Sequence, residues 1–145
     1  MALEKTESTI TPEIDVSNLE TSLEFYVDLL GFEVSFARPE EKFAYLLWHG
    51  AGFMIEEVGA GRSFHRAPLE PPYGRGVNFQ IRCADVRALH GRLQGAGARL
   101  VLPLEERWYR QGKNERGNRQ FVVADPDGYL LRFFEDMGTR AGREF

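Results

Sequence analysis

Phe121-Val122-Val123-Ala124-Asp125-Pro126-Asp127-Gly128-Tyr129-Leu130-Leu131-Arg132-Phe133-Phe134-Glu135 is the stretch from which the rest of the chain is read. Two apolar runs flank Asp-Pro-Asp-Gly, and the arrangement predicts a hairpin. Pro126 presets φ for the second turn position, the aspartates can accept from nearby backbone amides, and Gly128 takes the strained end. Alone, this turn says only that two strands meet antiparallel. Its place at the end of a repeated pattern says more.

Upstream, Ile10, Pro12, Ile14 and Val16 alternate with polar residues, the period of a half-buried strand. Ser17-Asn18-Leu19-Glu20 fits a capping box, and Leu19, Leu23, Tyr26 and Leu30 follow at helical spacing before Gly31. Three strand candidates come next: Phe32 to Arg38, Phe43 to Trp48 and Phe53 to Val58. After a Gly- and Pro-containing segment the pattern restarts. Val77, Phe79, Ile81 and Cys83 alternate with polar residues, and Asp85 can cap a helix carrying Val86, Leu89 and Leu93 and ending near Gly95 or Gly97. Leu100 to Leu104 reads as a strand, and Arg107 to Gly117 as a long polar loop leading into the hairpin. The chain therefore reads as two β-α-β-β-β units in tandem. The expected boundaries are a flexible 1–9, a first module over 10–58, a linker over 59–75, a second module over 76–136 and a loose tail over 137–145.

Composition bounds the function. With 145 residues, 43% of them apolar and 28% charged, the chain has the make-up of an ordinary soluble domain with a sizeable core. A net charge of −4 argues against nucleic acid as a partner and leaves cationic ligands open. The single cysteine, Cys83, excludes an internal disulfide and a multi-cysteine zinc site, and suits a reducing cytoplasm. No apolar run is long enough for a membrane span, and no secretory signal is visible at Met1 to Thr9. His49, His65 and His90 are scattered over a turn, the linker and a polar helix side, which favours solvated residues over ligands. No phosphate loop, nucleotide fingerprint or Ser-His-Asp order is present.

Ser22-Leu23-Glu24-Phe25-Tyr26, Leu29-Leu30-Gly31-Phe32, the repeated units and Asp125-Pro126-Asp127-Gly128-Tyr129 together resemble the vicinal oxygen chelate superfamily, over about Ile10 to Glu135. That superfamily includes glyoxalase I, extradiol dioxygenases, and fosfomycin- and bleomycin-resistance proteins. The resemblance implies an α+β fold in which two tandem β-α-β-β-β modules form a curled, cup-shaped mixed sheet, usually completed in a homodimer. It also implies four metal ligands, one on each of four strands. Carried over position by position, these fall on Thr11, Glu56, Asn78 and Arg132. Thr and Asn are weak neutral donors, and Arg does not deprotonate to coordinate. Arg132 also sets a positive charge in the ion's seat, a cost of several kcal/mol at about 4 Å. The expectation is a protein without metal or other cofactor, closest to the bleomycin-resistance type.

On that resemblance the expected ligand is a small molecule, a cationic aromatic one above all, bound without catalysis in a cavity of a homodimer. Glu13, Asp15 and Glu56 would supply negative charge, and Trp48, Tyr45, Trp108 and Tyr109 flat surfaces. Asn78, Gln80 and Arg132 would line the same cavity, and Arg82 and Arg132 would partly cancel its negative charge. Ordinary strand packing for Trp48 and Tyr45, and plain surface for the three carboxylates, stand beside this reading with equal weight. The alternative from another class is an enzyme, a lyase or dioxygenase with an atypical metal site, or a metal-free isomerase using Glu56 as base.

Overall fold

The computed structural model describes residues 9–142; Met1 to Ser8, most of the expected flexible N-terminus, and Arg143 to Phe145 lie outside the described residues. The chain divides into two compact units, with the boundary between Glu70 and Pro71. Each contains one four-stranded mixed sheet. The two tandem modules of an α+β fold expected from the sequence are thus present, and the strands of each pair among themselves.

The first unit runs β1 (Glu13–Val16), α1 (Leu19–Leu23) continued by a wider π-helical stretch (Glu24–Leu30), β2 (Glu33–Arg38), β3 (Phe43–Trp48) and β4 (Ala51–Glu57). Its strand order is β1-β4-β3-β2, with β1 parallel to β4 and the other pairs antiparallel. Ile14, Val16, Leu46, Phe53 and Ile55 are buried. Tyr26 from the helix meets Phe53 edge-on at 5.1 Å between ring centres and Phe32 at 5.6 Å, which places the helix on that face. By alternation the neighbouring residues of each strand point to the other face.

The second unit repeats the plan: β5 (Asn78–Arg82), α2 (Val86–Gly95), β6 (Arg99–Gln111), β7 (Asn114–Ala124) and β8 (Leu130–Ala141), in the order β5-β8-β7-β6. Leu131, Phe133, Phe121 and Val123 are buried, and His90 of α2 lies edge-on to Phe121 at 5.2 Å. Two stretches differ from the sequence reading. Residues 107–117 are strand and tight turn, not an open loop, since Trp108, Tyr109 and Arg110 pair with Gly117, Arg116 and Glu115. Met137 to Ala141, expected in a loose tail, continue β8 and pair with β7 as far as Asn114↔Ala141. Charged side chains hid both: Arg116 binds Asp136 and Arg140 binds Glu115 across these strands, so polar residues sit opposite one another instead of marking a loop.

Both helices start in the same way. Asn18 Oδ1 accepts from Thr21 N at 2.9 Å, and Asp85 Oδ1 from Ala88 N at 3.0 Å. The first cap is therefore Asn18 and not the Ser17 of the expected capping box. A carboxylate of the parallel-paired inner strand then takes the first helical amide. Glu57 Oε2 accepts from Leu19 N at 3.1 Å, and Glu135 Oε1 from Val86 N at 3.2 Å. Among the described residues, no helix is long and apolar enough to cross a membrane.

The decisive hairpin closes as read. Asp125 is 3% exposed, and its Oδ1 accepts from Asp127 N and Tyr129 N, each at 2.9 Å. Gly128 takes φ +101°, where a Cβ would also meet Pro72 at 2.5 Å. Asp125→Ala leaves two buried amides without acceptors and should lower unfolding free energy by about 2–4 kcal/mol. Asp125→Asn, which keeps the accepting oxygen, should lose less than half of that in urea unfolding followed by circular dichroism.

Candidate functional site

In the first unit, strand register gathers an acidic and aromatic group on the face away from α1. Glu13 and Asp15 of β1 stand beside Met54 and Glu56 of β4, and Phe43 and Tyr45 of β3 stand opposite Glu56 and Met54. Phe36 of β2 stacks on Tyr45 at 5.3 Å and an interplanar angle of 7°. Arg38 lies 4.0 Å over Phe43 and bonds Glu41 at 2.7 Å. Tyr45 is buried, and its hydroxyl has no hydrogen-bond partner among the described residues.

Burial, reinforced by the like charges of Glu13, Asp15 and Glu41, raises the Glu56 carboxyl above its ordinary value, against the smaller pull of Arg38. The segment after β4 passes over this group. A Cβ at Gly61 would come within 2.0 Å of Glu56 Oε1, and His65 Nδ1 lies 3.1 Å from Asp15 Oδ2. His65, expected as a solvated residue, is thus a member of the acidic site. Its partner is 50 residues away in sequence, so no local pattern marked it.

Trp48 is not brought to this group. It points to the helix face and packs on Phe32 at 5.0 Å, as the plain packing reading had it. Trp108 likewise leaves its expected partners, lying under Arg140 at 4.0 Å and against Gly117, one residue out of phase with Tyr109.

In the second unit, Gln80, Tyr109 and Arg132 do come together. Arg132 Nη2 donates to Gln80 Oε1 at 2.5 Å and Nη1 to Tyr109 Oη at 3.5 Å, while its Nε is buried without a partner among the described residues. Gln120, 2% exposed, donates to Tyr109 Oη at 2.6 Å and to Glu105 Oε1 at 3.0 Å. Asn78 lies exposed at the start of β5, opposite Leu130. Alongside the Arg132 network opens a pocket of about 340 Å³, whose lining includes Gln80, Arg82, Tyr109, Arg116, Asn118 and Phe134. Asp136 binds both Arg116 and, at 3.5 Å, Arg82. Those arginines and the Gly138 amide hold the Asp136 carboxyl below its ordinary value, the amide foremost. The sequence reading missed this pocket because it took 107–117 for a loop.

The four positions that would hold a metal fail the test of donor chemistry. Thr11 and Asn78 offer neutral oxygens, and the Arg132 guanidinium is engaged with Gln80 and Tyr109. Among the described residues, no three His, Cys, Asp or Glu side chains are arranged to hold an ion. The residues present do not fit the metal of this fold. Cys83 does not supply chemistry either, since burial pushes its thiol up to about 11.

Residues 11–133 match the model of the glyoxalase/bleomycin resistance protein/dioxygenase superfamily, and the chain belongs to that family. Among solved structures, TioX from Micromonospora sp. ML1 is similar at 22% identity and a TM-score of 0.67, over 90% of this chain and 100% of its own. A virulence protein from Salmonella typhimurium is similar at 18% identity and a TM-score of 0.66, over 93% and 98%. Both likenesses concern the fold alone. A superfamily member from Vibrio splendidus 12B01 shares 38% identity over 88% of this chain and 97% of its own, at a TM-score of 0.39 too low for its arrangement to bear on this one. No curated protein matches the sequence.

The raised Glu56 carboxyl has a consequence for stability. A folded-state value above the unfolded one means the folded chain binds the proton more tightly, so its stability falls as pH rises through that window. Glu56→Gln should therefore raise the melting temperature at pH 7, and the gain should vanish below about pH 4, where wild type is protonated in both states. Thermal unfolding at a series of pH values checks this.

Proposed function

We propose that the protein binds and sequesters a small molecule without the metal-centred chemistry of its family's enzymes, as a homodimer of the bleomycin-resistance type. The observation that carries this reading is Arg132. It stands where the family's last metal-ligating carboxylate falls, and its guanidinium is engaged by Gln80 and Tyr109. For the ligand, the acidic and aromatic face of the first sheet supports a cationic aromatic molecule. Glu13, Asp15 and Glu56 crowd like charges that a cation would relieve, the Phe36–Tyr45 stack offers a flat surface, and the unpartnered Tyr45 hydroxyl offers a polar contact. Exposure of Val34 and Phe36 on the edge strand β2 supports pairing with a second copy, which would cover an unpaired edge and apolar side chains.

A second reading keeps one specific support: a carboxyl raised above its usual range, as that of Glu56 is, suits a general base in metal-free enolisation. The two readings part on turnover.

Calorimetric titration with a bleomycin-like aromatic cation and its neutral analogue tests the proposal, with sedimentation run on the same samples. The cation should bind with micromolar affinity, the analogue and Glu56→Gln about tenfold or more weaker, and the chain should sediment as a dimer. Equal affinity for cation and analogue, or a monomer at micromolar concentration, contradicts it.

A further inference from the structure

We propose that residues 59–66 form an autoinhibitory strap, in which His65 occupies the acidic face of the first sheet as a stand-in for a cationic ligand. The inference rests on the reading of that face as a cation site. The strap leaves β4 through a turn in which Ala60 N donates to Glu57 O at 3.2 Å, and it runs without helix or strand from Gly61 to Arg66. It crosses two of the carboxylates gathered there. His65 Nδ1 lies 3.1 Å from Asp15 Oδ2, and Gly61 sits so close over Glu56 that a Cβ would come within 2.0 Å of Oε1. The strap thus takes the space, and one of the acceptor oxygens, that an incoming cation needs.

The chemistry of the contact is that of a ligand. An ionised carboxylate only accepts hydrogen bonds, so the imidazole nitrogen facing Asp15 carries its proton. Glu13 of β1, Glu56 of β4 and Glu41 before β3 add negative charge around it, and Arg38 of β2 is the basic group on the same face. A donor set among these carboxylates is what a cationic ligand would present to them. Burial leads the upward push on the Glu56 carboxyl, which agrees with a covered site.

What holds the strap is weak enough for a ligand to displace. Among the described residues, the bond from His65 to Asp15 is the one hydrogen bond that ties residues 61–66 to the sheet. Its two side chains are 26% and 19% exposed, so water competes for it. Phe64, the one large apolar side chain of the segment, is 71% exposed, with Arg62 over its ring at 5.1 Å, and so gives no apolar anchor. A ligand that binds only the open state loses affinity in proportion to the closed population. Loosening the tether therefore tightens apparent binding with no new contact.

Calorimetric titration of the full chain with 2-naphthylmethylammonium, paired with limited trypsin cleavage after Arg62 and Arg66, tests the assignment. His65→Ala should bind the ammonium about three- to tenfold more tightly than wild type. Its cleavage after Arg62 and Arg66 should be about threefold faster or more, since proteolysis follows the open population. Saturating ammonium should speed the same cleavage in wild type. His65 lies outside helix and strand, so its replacement should leave folding intact, which circular dichroism confirms before titration. Weaker ammonium binding by His65→Ala, unchanged cleavage in that variant, or unchanged or slower cleavage of wild type with ammonium bound would each overturn the assignment. Equal ammonium binding by both proteins would overturn the inhibitory role alone, whereas no binding by either would overturn the cation reading of the face together with it.

Discussion

A carboxylate from the sheet holds the first amide of the helix in each half of the molecule. Glu57 at the end of β4 accepts from Leu19 N, and Glu135 near the middle of β8 accepts from Val86 N. The first amides of a helix have no partner of their own and carry the positive end of its dipole, so a carboxylate there satisfies a hydrogen bond and a charge together. The Leu19 amide, more than Lys42, holds the Glu57 carboxyl below its ordinary value. This contact fixes where the helix starts against the central parallel strand, and with it the phase of that strand. Once Glu57 is committed to the helix, Glu56 must turn to the other face, beside Asp15. In the second half the same commitment of Glu135 leaves Phe134 and Asp136 on the face with Arg132 and the pocket.

Much of this was legible in the sequence because it rests on local rules. Asp85 as a cap, the Asp-Pro-Asp-Gly turn with Gly128 at positive φ, and Phe43–Trp48 as a strand follow from turn chemistry and alternation. The acidic trio of Glu13, Asp15 and Glu56 was legible for the same reason, since period-two alternation sets the face of each strand. Gln80, Tyr109 and Arg132 were expected only as members of one larger ligand cavity that also held Glu13, Asp15, Trp48, Glu56, Asn78 and Trp108, and their mutual hydrogen bonds were not read from the sequence.

What stayed hidden depends on partners distant in sequence. Trp48 had the composition of a ligand contact, but the aromatic cluster of Phe32, Phe53 and Tyr26 sits on its side of the sheet. The outer halves of β6 and β7 read as a loop because their side chains are charged. Arg119 bridges Glu106 and Glu135 at 2.9 and 3.1 Å, and such cross-strand pairs make a polar sheet that hydrophobic alternation does not reveal. His65 and Gly61 meet Asp15 and Glu56 only through the fold, and nothing in their surroundings announces it.

The central proposal is that Arg132, held by Gln80 and Tyr109, takes the place of a metal ligand, so that the protein binds a ligand without metal-centred chemistry. Elemental analysis of protein loaded with excess zinc or manganese and then dialysed tests it most directly. The account predicts far less than one retained ion per chain, both in wild type and in Glu56→Gln. About one ion per chain in wild type, lost in Glu56→Gln, would contradict it.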